Sequence, residues 1–303
     1  MDSAPRTILV TGATGFIAGS LIPALLARGD QVVALARDAI RARAKLGANI
    51  EIVDSLDALD ATRVIDAVVN LAGEPLAGGL WSPQRKQRFI DSRVNTTAAV
   101  VALIARLQKK PDVLVSGSAV GYYGDRGDHA LAEHDEPTTE FMSELCVLWE
   151  AEALRASRLG VRVCLLRTGL VFGRNGGLLP PLLLSSRFGM GAVLGDGRQW
   201  QPWIHLDDEV GIILHLLDHP TISGPLNAVA PEPVTQRALM RAIADEMHRP
   251  LWLRVPRPAL KLTGEMSALF LISQRALPVL ALKAGYAFRY PDLRKALAAI
   301  INP

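Results

Sequence analysis

Cysteine is nearly missing from this chain: Cys146 and Cys164 are the only two in 303 residues and lie far apart in sequence. That spacing supplies neither a disulfide framework nor a zinc site, so no metal is expected, and a reducing, cytoplasmic setting fits. An excess of charge of one sign is missing too. Lys+Arg 33 against Asp+Glu 30 leaves a net charge of +3, scattered through predicted helices, which argues against nucleic acid as a partner. The densest basic stretch, Arg85-Lys86-Gln87-Arg88, reads as a solvated helix face. No apolar run approaches the roughly 18 residues that cross a bilayer, and MDSAPR leads into the first strand without an apolar signal segment. No membrane partner is expected. Internal repeats and low-complexity tracts are absent as well.

What is present begins at residue 8. ILVTGATGFIAG joins a short apolar run to glycines at 12 and 15 and then to a helical pattern predicted from about Gly15 to Arg28. Glycines in such a turn let bare backbone amides approach a phosphate, and the helix aims its unpaired N–H groups and positive dipole end at the anion. The spacing is Gly-x-x-Gly-x-x-Ala, with Ala18 at the third position, where a small residue still lets helix pack on strand. Pro23 falls inside this helix and should cost it a hydrogen bond or bend it.

Further apolar, β-branched runs recur at Gln31 to Ala36, Ile50 to Val53, Ala67 to Leu71, Val113 to Ser116 and Val161 to Leu166, with helical segments between them. Continuous runs of this kind are strands of a parallel sheet covered by helices on both faces. The predicted fold is therefore α/β, a Rossmann doubly wound parallel sheet with a smaller C-terminal substrate lobe. After Arg174 the text turns to loops and proline-broken helices. The expected division gives residues 1–175, with 206–230, to the dinucleotide-binding domain, and residues 176–205 and 231–303 to the lobe.

The ligand of such a sheet lies outside the carboxyl ends of its strands. Near the end of the second strand an acidic residue suits the ribose of NAD and a cation suits the 2′-phosphate of NADP. Arg37 stands there, with Arg41 and Arg43 nearby, so NADP is the expected cofactor. Asp38 would serve a ribose instead if the strand ended one residue later. Asp54, at the end of the third strand, is a candidate for the adenine amino group or a simple turn cap.

TGATGFIAG, NLAG at 70–73, SGSAVGYYG at 116–124 and WIHLDD at 203–208 occur in the order seen in extended and atypical short-chain dehydrogenase/reductases. NLAGEPLAGGLWSPQRKQRFIDSRVNTT, RTGLVFGRNGG, GDGRQWQPWIHLDD, GPLNAVAPEPV, GEM and QRALP sharpen the match. The chain resembles, nearly end to end, the epimerase-related, NADP-binding atypical members, which are NAD-dependent epimerase/dehydratase-like with a C-terminal domain of unknown function. The resemblance implies NADP in the cleft. It places Thr14, Gly15, Phe16 and Ile17 on the pyrophosphate, Arg37 on the 2′-phosphate, and Leu71, Ala72 and Gly73 on the adenosine side. It turns Arg93, in the SRxxTT stretch, toward the cofactor, and puts Val171 near the nicotinamide half.

The same resemblance leads one to look for Tyr-x-x-x-Lys, the pair that moves the hydroxyl proton during hydride transfer. None of Tyr122, Tyr123, Tyr286 and Tyr290 has a lysine four residues on. Taking Glu150 as the family's helix glutamate puts Met142 and Cys146 where tyrosine and lysine should stand. The catalytic candidates that remain are Ser118, at the family's hydroxyl position, and Tyr122 with Tyr123. Gln201 stands where nucleotide-sugar epimerases carry a phosphate-binding arginine, which disfavours nucleotide sugars. Trp200 and Trp203 offer flat surface to a small apolar carbonyl compound, or close the lobe's own core. Two functions follow: an NADP-dependent oxidoreductase or epimerase-like enzyme acting on a small carbonyl or hydroxyl substrate, or a non-catalytic NADP(H)-responsive binding protein. The chain is expected to be a monomer or homodimer.

Overall fold

A computed structural model of the chain describes residues 5–47, 49–77 and 79–302; the first four residues of the MDSAPR stretch and Gly78 of the long NLAG block lie outside it. Seven parallel strands form the central sheet: β1 (Thr7–Thr11), β2 (Gln31–Leu35), β3 (Glu51–Val53), β4 (Ala67–Asn70), β5 (Val113–Ala119), β6 (Arg162–Thr168) and β7 (Gly224–Ala228). Their spatial order is β7-β6-β5-β4-β1-β2-β3. The strand order reverses between β1 and β4, so the crevice opens at their carboxyl ends.

Six of these strands coincide with the apolar runs of the sequence. β7 was not among them, because GPLNA is short, opens on glycine and proline, and is a strand only through its pairing with β6, Gly224 against Cys164 to Ala228 against Thr168. Two apolar layers sandwich the sheet. Helix α1 (Ala18–Ala27) packs Leu21, Ile22 and Leu25 on one face beside Ile212, Ile213 and Leu216. The other face is covered by Val100, Leu103, Ile104 and Ala153. Alternating residues of each strand serve opposite layers, as Ile8 and Leu9 of β1 do, which is why these strands read as unbroken hydrophobic text.

Helix α1 starts at Ala18, three residues after the predicted start. Gly15 bonds back to Gly12 through N–H···O=C at 2.8 Å, so residues 15–17 complete a turn first. Pro23 does lie inside the helix, on its exposed side, where the carbonyl it leaves unbonded can meet water.

The other helices are α2 (Ala39–Leu46), α3 (Pro83–Ile90), α4 (Thr96–Arg106), α5 (Phe141–Leu154), α6 (Leu179–Arg187), α7 (Leu206–Asp218), α8 (Gln236–Glu246), three shorter ones and the C-terminal Leu293–Ile301. Arg85, Lys86 and Arg88 lie on α3 as expected. Between α3 and α4, residues Asp91–Asn95 form one π-helical turn, a geometry frequent at functional sites. A separate core joins α8 to Phe172, Leu179, Trp203 and the C-terminal helix Leu293–Ile301. It forms the smaller region beyond the sheet. Among the described residues no helix is long and apolar enough to cross a membrane.

Candidate functional site

The crevice at the strand reversal has a volume of about 410 Å³ and is lined by Gly12, Thr14, Gly15, Arg37, Leu71, Ala72 and Gly73, among others. Its shape depends on missing side chains. Gly12 has φ +62°, and a Cβ there would lie 2.6 Å from the Leu71 carbonyl oxygen, while one at Gly15 would lie 2.9 Å from that of Gly12. The Leu71 strand end is held in place by Asn70, whose side chain accepts from Thr11 Oγ1 at 2.6 Å and donates to Thr97 Oγ1 at 2.8 Å. Among the described residues the N–H groups of Phe16 and Ile17 have no hydrogen-bond acceptor. Two free amides at a helix N-terminus, in a cradle that a Cβ would fill, fit a pyrophosphate.

Arg37 is exposed on the crevice wall. Asp38 is spent elsewhere: it is the N-cap of α2 and accepts from the Arg41 N–H at 2.9 Å. Asp54 lies exposed beyond β3 and does not line the crevice. Phe16 packs its ring on the Gly173 to Gly177 turn, where a Cβ at Gly176 would collide with it. Val171 belongs to the short strand Leu170–Gly173 and packs against the α1/α7 layer.

Arg93 projects from the π-helical turn beneath the Gly73-Glu74 backbone. Its guanidinium donates to Glu74 O at 3.1 Å and Phe89 O at 3.2 Å and lies over the Trp149 ring. A Cβ at Gly73 would be 3.1 Å from its Cζ. Burial holds Arg93 below the usual arginine range, with Cys146 and Glu74 opposing the shift. Among the described residues no carboxylate pairs with it within ion-pair distance. A half-buried cation without a paired anion suits a site that receives one.

Beyond the carboxyl ends of β5 and β6 lies a second pocket, of about 190 Å³. Met142, Thr168, Leu170, Trp200, Gln201 and Gln274 line it, with Ala119 to Gly121 on one wall, and none of its lining residues is charged. Met142 occupies the position where the resemblance calls for the tyrosine. Cys146, in the lysine position, is buried against the Ala119 carbonyl oxygen, and burial pushes its thiol up to about 12. That excludes a ready thiolate. Gln274 is anchored, donating to Val120 O at 2.9 Å, whereas Gln201 makes only a long contact of 3.4 Å to Trp200 O.

Ser118, Tyr122 and Tyr123 are brought together, but not on the pocket wall. Ser118 Oγ donates to Glu150 Oε1 at 2.6 Å. Arg167 grips Glu150 through two nitrogens at 2.8 and 2.9 Å, donates to the Tyr123 hydroxyl at 3.0 Å and stacks 3.4 Å from the Tyr122 ring centre. The Tyr123 hydroxyl in turn donates to Asn227 Oδ1 at 2.7 Å. Burial pushes Tyr123 up to about 12 and Tyr122 upward, against the opposing pull of Arg167. Burial works against charge on Arg167, but its Glu150 partner outweighs it and holds the guanidinium above its ordinary value. The three residues thus gather around a buried ion pair joining β6 to α5, and Tyr123 extends it to β7 through Asn227. The two tryptophans part company. Trp200 lines the pocket, while Trp203 stacks on Phe172 and donates to Glu232 O at 3.1 Å inside the lobe core.

Sequence reasoning did not find Thr168 or Gln274 on the wall. Thr168 donates to Glu209 Oε1 at 2.7 Å. Glu209 is fully buried, its other oxygen has no partner among the described residues, and burial raises it to about 8. A carboxylate in the helical text of WIHLDDEV carries no local sign of burial. His205 serves as the N-cap of α7, its Nδ1 accepting from the Asp207 N–H at 3.0 Å, with its ring on Tyr290.

Comparison with known proteins agrees with this geometry. The model of the NAD dependent epimerase/dehydratase family matches residues 8–228, and a domain of unknown function, DUF1731, matches residues 255–300. Among curated proteins the chain is 38% identical over 303 residues to the chloroplastic epimerase family protein SDR39U1 homolog of Arabidopsis thaliana, covering 98% of this chain and 87% of that one. It is 37% identical to the epimerase family protein YfhF of Bacillus subtilis, covering 97% of each. Among solved structures, human epimerase family protein SDR39U1 (isoform 2) with NADPH superposes with a TM-score of 0.87 at 31% identity, covering 97% of this chain and 99% of that one.

Proposed function

Since this chain belongs to the NAD dependent epimerase/dehydratase family, we propose that it binds NADP(H) and reduces a small, neutral carbonyl compound, or oxidises the corresponding alcohol. The observation that carries the reading is that one sheet presents at its carboxyl ends both a glycine-built cradle bearing Arg37 and an uncharged pocket beyond β5 and β6. The NADPH bound by the human relative supports the cofactor. Thr14 to Ile17 would hold the pyrophosphate and Arg37 the 2′-phosphate, while Arg93, beneath the Gly73-Glu74 backbone, would turn toward the cofactor from there. When bound, NADPH would supply a hydride to the carbonyl carbon, with solvent supplying the proton that the oxygen takes up.

Gln201 is loosely held and neutral, and its amide can turn to donate to that oxygen. An amide in place of arginine suits a ketone and gives no grip on a diphosphate. Ser118, Tyr122 and Tyr123 serve in this reading to shape the floor. The test is NADPH oxidation by the purified chain across a panel of neutral ketones and aldehydes, beside calorimetry with NADPH, NADP+ and NADH. Turnover above background, with NADPH binding tighter than NADH, is the expected result. Binding without turnover on any compound favours the second reading, an NADP(H)-responsive binding protein, for which the absence of a tyrosine or lysine from the pocket wall speaks. No binding of either form removes both.

A further inference from the structure

The 190 Å³ pocket lies below the roughly 300–1,000 Å³ of pockets that take drug-sized ligands. It has a neighbour. A second chamber of about 400 Å³ shares three wall residues with it, Met142, Ala268 and Ile272. Its floor is aromatic: Trp81 meets Phe141 edge to face at 5.8 Å between ring centres. Its lining is mostly apolar, and the charged residues it contains are Asp125, Glu140 and Glu265. The nearby cation, Lys86 on α3, pairs with Glu265 and lies over the Phe141 ring. That pair ties the Gly264–Ser267 turn, which covers the chamber, to the sheet domain. The partition itself is soft, because Met142 is an unbranched side chain with adjustable torsions.

Building on the NADP(H) oxidoreductase reading, we propose that the two chambers form one channel for an elongated, uncharged apolar carbonyl compound, with its carbonyl in the inner chamber and its tail passing Met142 into the outer one. Methylenes added to the tail leave water for an apolar wall, so affinity climbs with chain length. A carboxylate on the same chain would have to sit either in an uncharged pocket or beside Asp125, Glu140 and Glu265, and both positions penalise it.

The experiment is calorimetric titration of the full chain, saturated with NADP+ so that no turnover occurs, with straight-chain methyl ketones from butanone to 2-undecanone. Affinity should rise roughly fourfold per methylene over the length of the channel, and decanoate should bind at least about tenfold more weakly than 2-undecanone. Ser267→Trp, which fills the outer chamber from an accessible turn, should weaken 2-undecanone by about tenfold and change butanone less than about twofold. A flat dependence on chain length, equal binding of decanoate, no binding of any ketone, or equal losses for both ketones in Ser267→Trp overturns the channel. If NADP+ does not bind, the functional reading falls instead, and the same ketone series on the cofactor-free chain still decides the channel.

Discussion

The cradle and the substrate pocket sit side by side at the carboxyl ends of one sheet and are built from opposite materials. The cradle is backbone: Gly12, Gly15, the amides of Phe16 and Ile17, and the Leu71 carbonyl against which Gly12 must stay bare. The pocket is made of side chains drawn from β5, α5, β6, the strands near Trp200 and the Ala268–Ile272 segment, and it rests on a buried ion pair. A backbone site fails when an atom is added to it. A side-chain site fails when a partner is removed.

The largest effect should come from breaking the pocket's foundation. Arg167→Ala strands the Glu150 carboxylate in a buried site, at a cost of about 3–5 kcal/mol. Urea unfolding would measure it, and NADPH affinity of the still-folded protein should stay within about twofold. A parallel collapse of binding would show that the two sites are not independent. Next comes the cradle. Gly12→Val places a branched side chain at positive φ against the Leu71 carbonyl and should weaken NADPH by about 100-fold or more in calorimetry; retained affinity would mean the pyrophosphate lies elsewhere.

Arg37→Ala tests the side-chain part of the cradle. It should cost NADPH about tenfold or more while leaving NADH unchanged if the guanidinium holds the 2′-phosphate. Equal losses for both cofactors would remove Arg37 from that role. The smallest effect concerns Glu209, the buried carboxyl behind Thr168. Its folded value, about 8, stands above the ordinary 4.5, so the stability it contributes is complete below about pH 4.5 and drains away as pH rises through 8. Glu209→Gln should lack that decline and melt above the parent at pH 8–9. Melting curves that run parallel from pH 5 to 9 in parent and variant would show that the carboxyl is ionised throughout.

This division also explains how much could be read in advance. Six strands, the glycine turn and Arg37 were legible, because each is a local pattern whose meaning survives without its neighbours. Asp38 and Asp54 shared one plausible role, adenosine recognition, and the structure separates them from it by a cap in one case and by exposure away from the crevice in the other. For Trp200 and Trp203, three residues apart, the opposite destinations were not legible. Which one faces a pocket and which one a core depends on Phe172 and Glu232, 28 or more residues distant in sequence. The hydroxyls of Ser118, Tyr122 and Tyr123 looked available in the text. Ser118 is taken by Glu150 of a helix and Tyr123 by Arg167 of another strand, and the Tyr122 ring stacks on that same arginine.

By itself, the sequence determined the layered α/β plan, the strand-turn-helix that presents free amides, the cation at the end of the second strand and the loss of the tyrosine-lysine pair. These follow from periodicity and from residue types whose local chemistry is the same in any context. Only the tertiary structure decided which polar groups are spent on one another, that Met142 forms the pocket wall, that Glu209 lies without a cation, and that two chambers share a partition. Burial and pairing are properties of side chains meeting across long sequence separations, and no local pattern encodes them.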